Sequence, residues 1–185
     1  MKREIAQYIA SCDVYHRAKA EHQRPAGTLQ PLAIPEWKWD KISMDFISWF
    51  PRTKRGNNAI FVMIDRLSKV AHFLPVRESI TASQLADLYI SQIVSLHGVP
   101  LEINSDHGSL FTSRFWESFQ NAMGARLSFS TAFHPQSSGQ VECVNQILEV
   151  MLRASVISFG MDWEKCLPFA EFAYNTIYQS STSRK

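Results

Sequence analysis

Residues 41–50, Lys41-Ile42-Ser43-Met44-Asp45-Phe46-Ile47-Ser48-Trp49-Phe50, alternate as a half-buried strand does. Successive strand side chains point to opposite faces, so Ile42, Met44 and Phe46 share one face while Ser43, Asp45 and Ile47 share the other. Asp45 therefore puts a carboxylate in the middle of a strand that is otherwise largely apolar. Removing it from water is costly unless it is paired or holds a metal; the alternative is an edge-strand aspartate facing solvent. Pro51 ends the strand.

Working outward, "RTKRGNN" supplies turn residues after Pro51, and "AIFVMID" (59–65) is apolar throughout, as a central strand is. "VAHFLPV" (70–76) follows as a third strand, so short turns join a three-stranded antiparallel meander. From Thr81 to His97 the period changes: Leu85, Leu88, Tyr89, Ile93 and Leu96 recur at helical spacing. Gly98 is placed for a left-handed C-cap and Pro100 blocks continuation. "LEINS" is a fourth strand, "SRFWESFQNAMG" a helix and "RLSFSTA" a fifth strand. "HPQSSG" (134–139) reads as a loop before a helix from about Gly139 to Phe159, with a last helix from Trp163 to Tyr178. The order β-β-β-α-β-α-β-α-α predicts an α/β fold, a mixed five-stranded sheet flanked by helices. Upstream, a helix is predicted over Glu4 to about Ala20, and Pro25, Gly27, Pro31 and Pro35 mark an extended linker. Trp116, Phe119, Trp163, Phe169, Phe172 and Tyr174 lie at helical spacing and are predicted to be core.

Two further acids stand in distinctive settings. Asp106 follows a strand and precedes His107-Gly108, a sequence that by itself also reads as a turn. Glu142 falls in the first turns of its helix, behind a Ser137-x-x-Gln140 capping box, where the dipole favours an acid. On a helical wheel Val144, Ile147, Leu148, Met151 and Leu152 form the apolar stripe. Glu142 falls opposite with Asn145, Gln146 and Glu149, which suits either a site or a plain surface. Asp106 and Glu142 have 35 residues between them. Three carboxylates gathered from distant segments repel one another unless divalent cations neutralise them, and paired Mg²⁺ ions held this way serve phosphoryl transfer on nucleic acid.

Composition sets bounds. The 185 residues, 45% of them hydrophobic, can bury a core of one ordinary domain. No apolar run approaches the roughly 20 residues of a membrane span, and "MKREIAQYIASC" lacks the apolar stretch of a signal peptide. Three cysteines fit reduced thiols in an intracellular compartment. A net charge of +2 is too small to imply DNA by itself, and Arg52 to Arg55 is the one dense basic patch, a turn or a nucleic-acid contact.

The words around the three acids carry a resemblance. "SMDF", "SDHGSLFTSRFW" and "TAFHPQSSGQVECVNQ" resemble the three catalytic blocks of retroviral and LTR-retrotransposon integrases, and "MIDRLSKVAHFLP" and "YNTIYQSS" resemble the gypsy-type plant retrotransposon branch. The likeness runs from about Glu4 to Ser180. It implies an RNase H-like catalytic core over 35–180, with Asp45, Asp106 and Glu142 as catalytic residues and ligands of two Mg²⁺ or Mn²⁺ ions. It further implies 3′-end processing and strand transfer on DNA, a homodimer through the core and a nuclear location, although no targeting signal is seen. His134, Gln136 and Gln140 lie where family members contact DNA, although loop polarity and capping explain them equally well. His107, beside the second acid, and Asn145, on the face of Glu142, complete the DNA-contact candidates.

The chain departs from the family pattern in three places. Arginine is usual after the second Asp and after the Glu; here His107 and Cys143 stand instead, reducing positive charge near phosphate. "YIASCDVYHRAKAEHQRPAGTLQPL" resembles the end of the family's zinc-binding segment, so 1–34 is expected to be a helical remnant of it plus a linker. Its Cys-x-x-Cys would use Cys12 and position 15, but position 15 is Tyr, and the upstream histidine pair is absent. Structural zinc takes four ligands, so no zinc is expected, and His16 and His22 are expected to face solvent. Two other readings stand beside the integrase. One is an RNase H-type nuclease, weakened because its extra acid, Glu149, lies about 10 Å along the helix from Glu142. The other is a decayed element copy that dimerises or binds nucleic acid without catalysis. The missing zinc ligands and the end at "YQSSTSRK", without a basic DNA-binding module, favour that second reading.

Overall fold

The alternating stretch forms β1, Lys41–Ile47, three residues shorter than Pro51 alone allows. Trp49 turns the chain out of the strand in the left-handed region at φ 72° and stands almost fully exposed. In the computed structural model residues 2–18, 35–105, 108–129 and 135–176 are described. β2 (Ala59–Asp65) pairs antiparallel with β1, Asp45 opposite Val62, and is buried along its whole length. β3 (Ala71–Val76) continues the meander. Its Pro75 cannot donate to a ladder, which suits the edge position that β3 takes. β4 (Glu102–Ser105) runs parallel to β1 on the other side, and β5 (Arg126–Phe129) parallel to β4. The sheet order is β3-β2-β1-β4-β5, with β1 central, so the predicted five-stranded mixed sheet is present.

Helices cover both faces because β2 is buried on both faces and β1 turns Ile42, Met44 and Phe46 to one of them and Ile47 to the other. Ile42, Met44, Phe61, Met63 and Ile103 meet Leu85, Tyr89, Ile93 and Trp116 in one core. Those residues come from α3 (Ala82–Tyr89), a π-helical turn (Ile90–Val94) and α5 (Arg114–Met123), with α4 (Ser95–His97) closing the first arm. Thr81 and Gln84 cap α3 reciprocally. Gly124 ends α5 in the left-handed conformation expected of such a glycine. Gly98 differs: its φ of 84° is positive, but its ψ of −177° is extended, so it redirects the chain toward β4 rather than closing a left-handed cap.

On the other face Ile47, Ile60, Val62 and Ile64 meet Val144, Leu148, Leu152, Trp163, Leu167 and Tyr174. These belong to α6 (Pro135–Phe159) and α7 (Trp163–Thr176). Burying each such aliphatic side chain contributes about 1.5–3 kcal/mol, so the two helices are held mainly by this seam. Two expectations are corrected here. The helix begins at Pro135, not Gly139, so 135–139 is helical rather than loop, and Ser137 lies inside the helix instead of capping it. Proline suits a first helical position, because its fixed φ is helical and its missing N–H has no partner to lose there. Phe169 and Phe172 are 68% and 72% exposed on α7 rather than core, while Trp116, Trp163 and Tyr174 are buried as predicted.

Upstream, the single predicted helix is two, α1 (Lys2–Ser11) and α2 (Asp13–Ala18), broken at Cys12. α2 packs on α6, and Ala18 is buried. No helix among the described residues is long and apolar enough to cross a membrane.

Candidate active site

The face of β1 that carries Asp45 is the face covered by α6. Asp45 is half-buried, and two neutral amides hold its carboxylate: the backbone N–H of Phe46 donates to Oδ1 at 2.8 Å, and the Asn145 side chain donates from Nδ2 to Oδ2 at 2.8 Å. Asn145 and Glu142 lie three positions apart on α6 and so share a helix face. The hydrogen bond therefore fixes Glu142 about one helical turn from the contact with Asp45, roughly 4.5 Å along the axis. Val141, Val144 and Leu148 are buried against the sheet while Glu142 is exposed, as the helical wheel requires. Packing thus sets the rotation of α6, and that rotation presents one acid to solvent beside another on the strand.

The second strand of the site is β4. Its last residue, Ser105, pairs with Met44, the residue before Asp45, so β4 brings the chain to the level of the first acid one residue before Asp106. Asp106 and His107 lie outside the described residues, as does His134. Gln136 and Gln140 fall in the opening turns of α6, their side chains outside the described part. Asn145, read from sequence as a DNA contact, is engaged with Asp45, and its Oδ1 is buried without a hydrogen-bond partner. The three-residue spacing from Glu142 was the signal for this pairing, and the helical wheel alone did not say what lay beneath.

Among the described residues no group of three or more His, Cys, Asp or Glu side chains is arranged to hold a metal, and Asp106 is not among them. The donor set is nonetheless the right chemistry for a hard cation: carboxylate oxygens suit Mg²⁺ or Mn²⁺, which keep several waters. Asp45 accepts from two neutral donors, and Glu142 stands open to solvent. Near the site, a cleft of Phe46, Ser48, Glu78, Gly108, Ser109 and Phe111 opens beside β1.

Another carboxylate, Asp65, was not singled out from sequence and is wholly buried at the end of β2. It accepts from the backbone N–H of Trp39, Leu67 and Ser68 and from the Ser68 hydroxyl. Four donors satisfy it, and it pins the entry to β1. At the amino end, His16 Nε2 lies 2.7 Å from the Ala10 carbonyl, Tyr15 packs edge-on to His16, and His22 is outside the described residues. Arg55 meets Glu164 across an exposed edge, as a turn charge does.

Comparison with known proteins places this arrangement. Over 182 residues, 98% of its length, the chain is 34% identical to the Transposon Tf2-3 polyprotein of Schizosaccharomyces pombe, and it spans 14% of that polyprotein. The crystal structure of the catalytic core domain of BIV integrase superposes with a TM-score of 0.61 at 25% identity, covering 77% of this chain and 87% of that one. The HTLV-2 integrase catalytic core domain in complex with magnesium, in a dimeric form, gives a TM-score of 0.63 at 19% identity over 80% and 94% of the two chains. A simian T-cell lymphotropic virus intasome chain gives 0.66 at 20% identity, covering 96% of this chain and 62% of that one. Both lower-identity likenesses bear on the fold, which is the RNase H-like sheet and helix arrangement of integrase cores. Residues 37–135, a segment that includes Asp45 and Asp106, match the integrase core domain, and the chain belongs to that family, homologous to retroviral and retrotransposon integrase cores.

Proposed function

We propose that the chain is the catalytic core of a gypsy-type retrotransposon integrase, acting on DNA ends through Asp45, Asp106 and Glu142. The observation that carries this reading is the Asn145–Asp45 hydrogen bond, which holds the helix bearing Glu142 against the strand bearing Asp45. "MIDRLSKVAHFLP" and "YNTIYQSS" support the gypsy-type plant branch. The three carboxylates would hold two Mg²⁺ or Mn²⁺ ions, with Asn145 fixing the direction of the Asp45 carboxylate. Bound metal of this kind activates an attacking oxygen and stabilises the leaving one. Two in-line displacements follow without a covalent enzyme intermediate. In the first, a water oxygen bonds to phosphorus and the element's 3′ oxygen leaves as a hydroxyl. In the second, that hydroxyl oxygen bonds to a target phosphorus and the target's own 3′ oxygen leaves.

His107, His134, Gln136 and Gln140 are the proposed DNA contacts, and residues 1–34 a remnant of a zinc-binding segment that holds no zinc. A second copy is the proposed partner. Phe169 and Phe172 stand exposed on α7 beside the edge strand β3, and the HTLV-2 core is described in a dimeric form. The family resemblance makes the nucleus the proposed compartment.

The discriminating experiment is strand transfer on branched DNA with Mg²⁺ or Mn²⁺. Metal-dependent joining supports catalysis. DNA binding without cleavage or joining in either metal supports the second reading, a folded but catalytically decayed copy, which the His107 and Cys143 departures favour.

A further inference from the structure

Away from the acids, four side chains from four segments form a continuous chain. Glu171 on α7 accepts from the backbone N–H of Phe73 through Oε2 at 2.9 Å, and its Oε1 lies 3.1 Å from His72 Nδ1 on β3. His72 Nε2 lies 3.0 Å from His97 Nε2 at the end of α4. The His97 ring lies flat on Trp39, centroids 3.8 Å apart and planes 6° apart. Trp39 itself is buried in the segment entering β1, in the left-handed region at φ 66°. Such a conformation is strained for a bulky residue and persists where surroundings over-determine it.

The protons of this chain can be assigned. A carboxylate only accepts, so His72 Nδ1–H donates to Glu171 and its Nε2 keeps a lone pair. In the neutral pair, His97 Nε2–H must then be the donor to His72, leaving His97 Nδ1 bare. The ring centres of His72 and His97 are 5.3 Å apart, the 3.0 Å nitrogen separation plus about two ring radii, so the rings meet end-on. End-on nitrogens at 3.0 Å hold a proton between them. A metal ion on that line, with bonds of about 2.0–2.1 Å to each nitrogen, needs a wider gap.

We propose that Glu171, His72, His97 and Trp39 form a proton-counting latch, closed with none or one added proton and released by the second. The first added proton enters at His97 Nδ1, and the proton between the two Nε2 atoms stays shared. Charge on the His72 side faces Glu171, and charge on the His97 side faces the Trp39 ring, whose π face attracts a cation. Among the described residues, the charged groups around the pair are Glu171 from α7 and Asp65 from the end of β2, together with Arg55 and Glu164, which pair with each other and line the groove that His72 shares with neutral Gln92. A second proton puts N–H against N–H across the 3.0 Å contact, and the pair must part. Burial holds the His97 pKa below the ordinary 6.5, charge on His72 pushes it the same way, and Asp65 opposes both. Release therefore belongs to acid conditions and uncouples α7 and β3 from the entry to β1. It is independent of the chemistry at the three acids.

The test is a pH titration of the full chain by long-range ¹⁵N–¹H correlation of its histidines. At pH 8 the expected tautomers are Nδ1–H for His72 and Nε2–H for His97, with two coupled steps on acidification. Glu171→Gln is expected to lower the first midpoint, because the first added charge loses its carboxylate. His72→Gln is expected to leave a single step, at His97. An Nε2–H tautomer at His72, independent titration of the two rings, or unchanged midpoints in Glu171→Gln each overturns the latch. Should His72→Gln fail to fold, the wild-type tautomers and Glu171→Gln decide it.

Discussion

Asn145 Nδ2 donates to Asp45 Oδ2 at 2.8 Å, joining the centre of β1 to α6 one turn beyond Glu142. A neutral amide at this place fixes the direction of the carboxylate without cancelling its charge. Partners that orient a ligating carboxylate typically cost about 10–100-fold in metal affinity or activity when removed. Asn145→Ala is therefore expected to raise the Mg²⁺ concentration for half-maximal cleavage by about 10–100-fold while near-saturating Mn²⁺ recovers part of the rate. An unchanged metal dependence makes the contact structural only.

Neutralising any one of the three acids has a different signature. Asp45→Asn, Asp106→Asn and Glu142→Gln are each expected to abolish Mn²⁺-dependent DNA cleavage and leave the melting temperature unchanged or slightly raised. Each change removes a metal ligand and also relieves mutual carboxylate repulsion. Wild-type turnover in any of the three variants removes that residue from the site.

The same face of the sheet shows what could be read from residues alone. The period-two pattern of 41–47 fixed which side of β1 carries Asp45, because a one-residue slip moves every side chain to the opposite face. The stripe from Val144 to Leu152 likewise fixed which side of α6 is buried. The start of that helix was misread because Pro135 and Gly139 look like loop residues, yet proline at a first helical position is compatible with the fold. Phe169 and Phe172 were misread because periodicity identifies an apolar face but not what covers it. The His72–His97 pair has no local signal at all, being made by tertiary packing of an edge strand against a helix end. Asp65 did have one: aspartate followed three residues later by serine is a turn that bonds its own backbone.

Asp65 should matter to stability, being wholly buried with four donors on its carboxylate. Asp65→Ala leaves the backbone N–H groups of Trp39, Leu67 and Ser68 without the carboxylate they now share. The Trp39 contact is buried while the other two are part-buried, and a buried donor left unsatisfied costs about 1–3 kcal/mol, so a loss of at least about 1 kcal/mol is expected. Urea unfolding measures it, and a loss below about 1 kcal/mol shows that water replaces the carboxylate.

Zinc is the next ligand to test. Cys12 lies between α1 and α2 without its expected partner at Tyr15, and His16 is set against the Ala10 carbonyl. Purified protein is expected to carry well under one zinc per chain, and chelation should leave its melting temperature unchanged. Tight, stoichiometric zinc that is lost on Cys12→Ser points to a replacement ligand set.

The two departures beside the acids bear on DNA binding. Histidine is ordinarily largely neutral at pH 7 and cysteine carries no positive charge, so His107 and Cys143, the latter exposed on α6 next to Glu142, leave about two positive charges missing relative to the family pattern. Each phosphate contact contributes about −0.9 to the slope of log affinity against log salt. Restoring both, as His107→Arg with Cys143→Arg, is expected to tighten duplex binding at low salt and steepen that slope by up to about two units. Because Cys143 already faces solvent, its arginine can reach outward without disturbing the seam that Val144 and Leu148 make with the sheet. The measurement is a titration of labelled duplex at several salt concentrations. A slope that does not move in the double variant means that neither position meets phosphate, and the DNA path must then be sought elsewhere along α6.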